Sequence, residues 1–173
     1  MSKLAILIAP DPLLKKKAKP VAAVDSRVRR LLSDMLETMY ADRGIGLAAP
    51  QVGILERLVV IDIADEDAEP RPLSLVNPEI VWRSEETMIC NEGCLSLPDY
   101  YADITRAAEV RVRYLDEKGK AREITGDGML SVCLQHEIDH LEGKLFVDYL
   151  SPIKRSIILR KLKRLKAGGE PKE

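Results

Sequence analysis

Both histidines of this chain fall in one segment, Gln135-His136-Glu137-Ile138-Asp139-His140. The pattern H-E-x-x-H constrains the fold because side chains four residues apart share a face only on an α-helix. His136 and His140 can then bind one metal ion, and Glu137 can face a water on that metal as a proton acceptor. A chance match in a solvated helix is the alternative, but it leaves the placement of both histidines unexplained. The segment therefore predicts a hydrolytic metal site.

Composition places the chain among globular proteins. Its 173 residues are 46% hydrophobic and 32% charged, which suits one domain spanning 1–173 with a sizeable core. The net charge of -1 gives no reason to expect DNA as a partner. Three cysteines, Cys90, Cys94 and Cys133, form no disulfide framework, and no secretion signal is evident, so we expect a cytoplasmic protein. The apolar stretch 4–9 is too short to cross a membrane.

Local patterns predict an α+β fold, with short and mostly antiparallel strands around a central metal-binding helix and with a C-terminal helix. The segment 44–53 holds three glycines and a proline, which predicts a tight, irregular stretch. The predicted helices run from the cap Asp25 to about 40, from about 128 to 142, and from the cap Ser151 to about 166. The predicted strands lie at 58–63, 73–76, 79–82, 87–90, 110–114 and 121–124.

A catalytic site of this type needs a third protein ligand. In one group of H-E-x-x-H proteases a downstream histidine supplies it, but Phe146 occupies that register here. In another group a later glutamate supplies it. None of the acids that follow His140 suits this role, because they are too close, too short or in the terminal tail: Glu142, Asp148, Glu170 and Glu173. An endopeptidase therefore lacks a good third ligand.

Cysteine is the remaining choice. Cys133 shares the face of His136, but residues 133 and 140 are separated by about 10 Å along a helix, too far for three ligands to converge. Cys133 is better interpreted as a pocket wall or a small core residue. Cys94 follows Gly93, where the backbone can approach closely, and it is the best available ligand.

Three segments carry a resemblance to a known family: GIGLAAPQVG at 44–53, EGCLSLP at 92–98 and QHEIDHLEG at 135–143. In this order and spacing they resemble the three signature motifs of bacterial peptide deformylases, over nearly the whole chain. The resemblance implies removal of the N-formyl group from the N-terminal formylmethionine of nascent polypeptides, with release of formate. It implies one divalent ion, with Fe²⁺ expected and Zn²⁺, Ni²⁺ or Co²⁺ able to substitute.

The resemblance also assigns roles to individual residues. It implies that Cys94, His136 and His140 are the metal ligands and that Glu137 is the catalytic acid and base. It implies that Gln51 and the backbone N–H of Leu95 donate to the oxyanion. The sequence departs from the family at Asp99-Tyr100-Tyr101, because family members carry an arginine there, so a cationic contact with the substrate is not expected.

A methionine pocket is expected beside the motifs, since N-formylmethionine begins the substrate. Apolar or soft residues could line it, and each could equally belong to the core: Ile45, Cys90, Met129, Val132 and Cys133. Gly46 and Gly93 would let an extended peptide pair alongside. Asp139 or Arg106 could orient a metal ligand from behind, although a surface ion pair is an equal alternative.

The last helix, 151–166, is basic, with seven lysines and arginines and no acid. Ile153, Ile157, Ile158, Leu162 and Leu165 form an apolar stripe that should face the core. The cationic side predicts docking on the ribosome, in agreement with the family resemblance, and a solvated face without a partner is the alternative. A structural metal site in a ribosome-associated binding protein is another alternative, but a closed site would need no base such as Glu137.

Overall fold

The structure is a computed structural model that describes residues 2–168, so the ends of the predicted domain, residue 1 and residues 169–173, lie outside it. The fold contains three α-helices, seven strands and three short 3₁₀ turns at Pro12–Lys15, Ala49–Val52 and Phe146–Tyr149. The helices are α1 Ser26–Ala41, α2 Gly128–Leu141 and α3 Pro152–Lys166. The strands are β1 Gly46–Ala48, β2 Leu58–Ile61, β3 Leu73–Arg83, β4 Thr87–Cys94, β5 Leu97–Ala107, β6 Glu109–Leu115 and β7 Ala121–Asp127.

Two antiparallel sheets frame the site. The larger has the strand order β1-β2-β3-β6-β7, and the smaller is the pair β4-β5. In the larger sheet Leu58 pairs with Val76, and the pairing of β3 with β6 is interrupted by two register shifts. In the smaller sheet Glu92 pairs with Ala102, and a register shift follows Gly93. The predicted α+β class, with mostly antiparallel strands, is confirmed.

Strand β2 shows why helices cover both faces of the larger sheet. All four of its residues are fully buried, and successive side chains point to opposite faces. Val59 and Ile61 pack in the cluster that contains Leu134 and Ile138 of α2. Leu58 and Val60 pack in a second cluster with α1, whose buried stripe comprises Val28, Leu31, Leu32, Met35 and Met39. Helix α2 is thus held against the sheet along its length, and this fixes the H-E-x-x-H segment.

The last helix packs on a third cluster, which includes Leu14, Ile104 and Phe146. Only part of its predicted apolar stripe faces this core. Leu162 is fully buried and Ile158 is partly buried, together with Leu159. The prediction was wrong for Ile153, Ile157 and Leu165, which are exposed. Only a narrow face of the helix, with Ile158, Leu159 and Leu162, packs on the rest of the protein, so the other residues of the expected stripe are exposed to solvent.

The helix predictions agree closely with the structure. Asp25 caps α1 by accepting from the N–H of Val28, and Ser151 caps α3 by accepting from Lys154. Three strand predictions were wrong in detail. The segments 73–76 and 79–82 form one bulged strand, β3, and the irregular stretch 44–53 contains β1. No strand was predicted at 97–107, because the inner face of β5 includes the small Ala102 and the charged Arg106, which a search for alternating apolar residues does not detect.

Candidate metal centre and active site

Helix α2 and strand β4 bring together three side chains that could hold one metal ion. Cys94 Sγ, His136 and His140 each offer one donor atom, and these atoms lie within 4.8 Å of one another. Nε2 of His140 lies 3.2 Å from Nε2 of His136 and 3.4 Å from Cys94 Sγ. Within residues 2–168 this is the one such group of histidine, cysteine and acidic side chains. Cys94, chosen by elimination from the sequence, is the third member.

The other candidate ligands lie elsewhere. The centroid of the Phe146 ring lies 6.4 Å from that of the His136 ring, and the two rings are stacked. The position at which some proteases have a third histidine ligand therefore places an apolar ring beside the site. Asp148 binds Lys15 and the N–H of Leu145. Cys133, on α2, packs in the core and also borders the cavity, and burial raises the pKa of its thiol. Glu142 pairs with Arg57, and Glu170 and Glu173 lie outside the described residues.

His136 is oriented by a residue that the sequence did not reveal. Oε1 of Glu92 accepts from its Nδ1 at 2.8 Å, which leaves Nε2 facing Cys94 and His140. Burial raises the pKa of Glu92, but its hydrogen bonds with Arg106 and His136 outweigh burial and hold the pKa below the usual value. Glu92 therefore stays charged. The available signal was its place beside Gly93 and Cys94 in the cysteine segment.

Arg106 holds this carboxylate from behind. Its Nε and Nη2 donate to the two oxygens of Glu92 at 2.7 and 2.8 Å, and its Nη1 donates to Asp139 at 2.7 Å. The two residues expected to orient a ligand therefore do so indirectly. Arg106 holds Glu92, which contacts His136, and Asp139 contacts Arg106. Nδ1 of His140 is buried and has no partner within residues 2–168.

Glu137 directly follows His136 on α2, and its carboxylate is buried. Burial raises its pKa to about 7, and its Oε2 has no hydrogen-bond partner among the described residues. Gly46 of β1 makes room for it, since a Cβ at that position would lie 2.5 Å from Oε1 of Glu137. A carboxylate with a pKa near neutrality is suited to general acid and base catalysis.

Gln51 is fixed in the wall of the site by three contacts. Its Oε1 accepts from the N–H of Ala48 at 2.9 Å, and its Nε2 donates to Ser96 Oγ at 3.1 Å. The same Nε2 lies 3.5 Å from Cys94 Sγ. The amide hydrogens of Gln51 are thus held beside the sulfur of Cys94, a position from which they could also meet a developing negative charge.

A cavity of about 550 Å³ opens onto these groups. Every predicted site residue lines it except His140, which is 1% exposed. Val132 and Cys133 are buried in its wall, while Ile45 and Met129 are exposed at its surface. The remaining lining residues from the sequence prediction are Gly46, Gln51, Cys90, Gly93, Cys94, Leu95, His136 and Glu137.

Tyr101 lies in the stretch where, by the family resemblance, other members carry an arginine. It pairs with Gly93 across β4 and β5, lines the cavity and is 67% exposed. Its ring covers Gly93 so closely that a Cβ there would collide with it. The rim also contains Asp42, Arg43 and Asp99, so charges of both signs border the aromatic ring.

Proteins similar to this chain in sequence and in fold are named peptide deformylases. The polypeptide deformylase family model matches residues 3–156. The peptide deformylase of Bartonella quintana (strain Toulouse) is 52% identical over 159 residues, which are 92% of this chain and 90% of that protein. The peptide deformylase of Polynucleobacter necessarius subsp. necessarius (strain STIR1) is 54% identical over 164 residues, 95% of each chain.

Solved structures agree in fold. The crystal structure of peptide deformylase from Ehrlichia chaffeensis in complex with actinonin superposes with a TM-score of 0.92 at 42% identity, covering 96% of this chain and 99% of that one. A peptide deformylase from Legionella pneumophila gives a TM-score of 0.89 at 49% identity, with 96% of each chain covered. The chain therefore belongs to the polypeptide deformylase family, metal-dependent hydrolases that remove the N-formyl group from nascent peptides.

Proposed function

We propose that the cavity beside Cys94, His136 and His140 is where this chain hydrolyses N-formylmethionyl peptides, with Glu137 as the acid and base. The observation that carries the proposal is that three donor atoms lie within 4.8 Å of one another, and that Glu137, a buried carboxylate with one oxygen unpaired among the described residues, lines the same cavity as Cys94 and His136. A closed structural metal site would need a fourth ligand and no such carboxylate.

The three side chains fit one divalent ion. Tetrahedral coordination at ordinary bond lengths separates two nitrogen donors by about 3.3 Å, and nitrogen from sulfur by about 3.6 Å. The separations of 3.2 Å between the histidines and 3.4 Å between His140 and Cys94 are close to these values. A bound ion supplies an activated water and polarises the formyl carbonyl. We propose Fe²⁺ as the physiological ion, with Zn²⁺, Ni²⁺ or Co²⁺ as substitutes, since a thiolate with two imidazoles accepts all of them.

Glu137 handles the protons of the reaction. It accepts a proton from the attacking water and later gives it to the amine nitrogen as the bond to the formyl carbon breaks. The products are formate and a free N-terminus, so one water is consumed in each cycle. Its pKa of about 7, raised by burial, suits both transfers. The space left by Gly46 lets the carboxylate sit against β1 without strain.

Gln51 and the backbone N–H of Leu95 are the proposed donors to the oxyanion. The Gln51 amide is already fixed by Ala48 and Ser96, so little reorganisation is needed when charge develops. Removing one such donor typically costs about 3 kcal/mol of transition-state stabilisation. Leu95 directly follows Cys94, so its N–H belongs to the backbone next to the metal-binding sulfur.

The first side chain of the substrate is proposed to enter the apolar part of the cavity. Cys90, Val132 and Cys133 offer soft or apolar surface that suits the thioether of methionine. Ile45 and Met129 lie at the exposed edge of this pocket. Gly46 and Gly93 line the cavity on β1 and β4, and an extended peptide is proposed to pair alongside the strands there.

The test uses protein purified without oxygen. Metal content is measured first, and formate release is then followed on formyl-Met-Ala. Acetyl-Met-Ala is the matched control, because its extra methyl group should clash at the reacting carbon. One equivalent of metal and formate release from the formyl peptide are expected, with no release of acetate or of free Met-Ala from the acetyl peptide. Cleavage of internal peptide bonds without formate release would instead favour the endopeptidase alternative.

A second proposal concerns α3, which we propose as a docking element for the ribosome. Its exposed basic residues have no acidic neighbours on the helix: Lys154, Arg160, Lys161, Lys163 and Arg164. Arg155 lies 3.9 Å from Asp148, and Lys166 lies 3.5 Å from Asp11. A cationic face on a protein with a net charge of -1 suits a phosphate backbone.

We further propose that residues 1–173 act as one catalytic domain in the cytoplasm. The burial of Leu162 against Phe146 and its neighbours joins α3 to the catalytic body. Three free cysteines suit a reducing compartment. None of the helices within residues 2–168 is long and apolar enough to span a bilayer.

A further inference from the structure

Tyr149 lies at the outer end of a chain of contacts that begins at the metal-binding His136. His136 contacts Glu92, Glu92 accepts two hydrogen bonds from Arg106, and Arg106 donates to Asp139. The hydroxyl of Tyr149 donates to the same Oδ2 of Asp139 at 2.7 Å. Tyr149 is the last residue of the 3₁₀ turn that precedes α3, so it comes from a different part of the chain than the metal ligands.

The ring of Tyr149 makes a second contact in this chain. Cζ of Arg106 lies over it, 4.9 Å from the ring centroid. A guanidinium over an aromatic face is attracted by the ring quadrupole, and the attraction is stronger where water is excluded. Arg106 is 4% exposed and Tyr149 is 50% exposed, so the ring covers the outer face of an otherwise buried cation.

From these two contacts we propose that Tyr149 is a positioning residue for the metal site, holding Arg106 so that Glu92 keeps the ring of His136 aimed at the ion. The inference rests on the proposed metal ligands. It goes beyond them because Tyr149 is neither one of the proposed ligands nor part of the cavity lining.

Geometry explains why the phenol is needed. Arg106 has several rotatable bonds, and its orientation must match both oxygens of Glu92 at once. Asp139 fixes the third nitrogen of the guanidinium, but its own side chain reaches the surface and could turn to water. The hydroxyl of Tyr149 ties that carboxylate down, and burial together with the bond to Asp139 raises the pKa of Tyr149 to about 12, so the hydroxyl remains a donor.

The experiment measures metal retention. Protein loaded with Co²⁺ is mixed with excess EDTA, and loss of the visible cobalt–thiolate absorbance gives the dissociation rate. Residues that directly orient a metal ligand typically change affinity by about 10–100-fold. Since the hydroxyl of Tyr149 acts through three intermediate residues, Asp139, Arg106 and Glu92, Tyr149→Phe should speed release by about 3–10-fold. Tyr149→Leu, which also removes the ring from Arg106, should speed it further.

Tyr40→Phe is the matched control. Tyr40 donates to Asp62 at 2.6 Å and is similarly half exposed, but it makes no contact with the Glu92–Arg106 chain. Its release rate should equal that of the unmodified protein. Equal rates for Tyr149→Phe and the unmodified protein would overturn the proposal. Equal acceleration in both variants would also overturn it, because loss of any phenol–carboxylate bond would then suffice.

A double-mutant cycle that combines Tyr149→Phe with Asp139→Asn tests whether Tyr149 acts through Asp139. Because Tyr149 is proposed to act through Asp139, the acceleration in the double variant should be smaller than the product of the two single effects. Fully multiplicative effects would show independent routes and reject the positioning role. Failure of the unmodified protein to bind one Co²⁺ would instead reject the proposed metal ligands, and this inference with them.

Discussion

Oε1 of Glu92 lies 2.8 Å from Nδ1 of His136, and this contact determines which ring nitrogen faces the metal site. The two residues are separated by 44 positions in sequence, and the fold brings β4 and α2 together at this contact. The carboxylate accepts from Nδ1 and so leaves Nε2 free as a ligand. Because Arg106 holds both oxygens of Glu92, the ring of His136 has one preferred orientation.

Glu92→Gln should weaken metal binding by about 10–100-fold, because a neutral amide orients His136 less firmly and pairs poorly with Arg106. The free energy of unfolding should fall by at most about 3 kcal/mol, since Asp139 still pairs with Arg106. Chelator competition and denaturant titration measure the two quantities. Glu123→Gln is the control, because Glu123 forms an exposed pair with Arg111 at 3.6 Å. Unchanged metal affinity in Glu92→Gln would contradict the orienting role.

Glu137→Gln should retain the metal and lower kcat by about 10²–10⁴-fold, because the attacking water loses its proton acceptor. Metal content by elemental analysis and formate release on formyl-Met-Ala check the two expectations separately. The amide has nearly the same shape, so Gly46 still accommodates it. A variant purified without metal would identify Glu137 as a ligand. A variant with near-normal turnover would remove it from the mechanism.

Cys94→Ser should empty or weaken the metal site, because a serine hydroxyl is a far poorer anionic ligand than a thiolate. Cys90→Ser and Cys133→Ser are the matched controls, and both should keep one equivalent of metal. These two residues line the cavity, so their effect should appear in KM for methionyl substrates. Loss of the metal from Cys90→Ser alone would mean that the wrong cysteine was chosen.

Activity should decay in air if the physiological ion is ferrous, and protein reconstituted with Ni²⁺ should keep its activity. The reason is that a thiolate and two imidazoles accept ferrous iron but do not protect it from oxidation. Activity is followed over hours in air for the two preparations, with catalase added to a third. An anaerobic preparation that contains stoichiometric zinc and is fully active would disprove the iron assignment.

Charge reversal at Lys161, Lys163 and Arg164 should weaken binding to purified ribosomes and leave deformylation of a short free peptide intact. The three side chains are exposed, so their replacement by glutamate should not disturb the core. The control reverses three exposed basic residues outside α3: Arg83, Lys118 and Lys120. Cosedimentation at low and moderate salt measures binding. Equal binding by both variants would reject α3 as the docking element.

The sequence was sufficient for features that depend on local spacing. The i and i+4 histidines required a helix, and Gly143 ends α2 with a φ of +74°, a left-handed conformation that suits glycine. The caps Asp25 and Ser151 were identified from their side-chain chemistry. Elimination among the acids and cysteines also found Cys94, because ligand chemistry left few residue types to consider.

The tertiary structure decided what depends on contacts between distant segments. No local sequence pattern predicts that Glu92 contacts His136 or that Arg106 donates to Glu92. Nor does any local pattern predict the hydrogen bond from Tyr149 to Asp139. These contacts arise because α2 packs across a sheet and is flanked by β4, β5 and the turn before α3. Periodicity reports which face of an element is buried, but the orientation of a buried polar side chain depends on the partner that the fold brings to it.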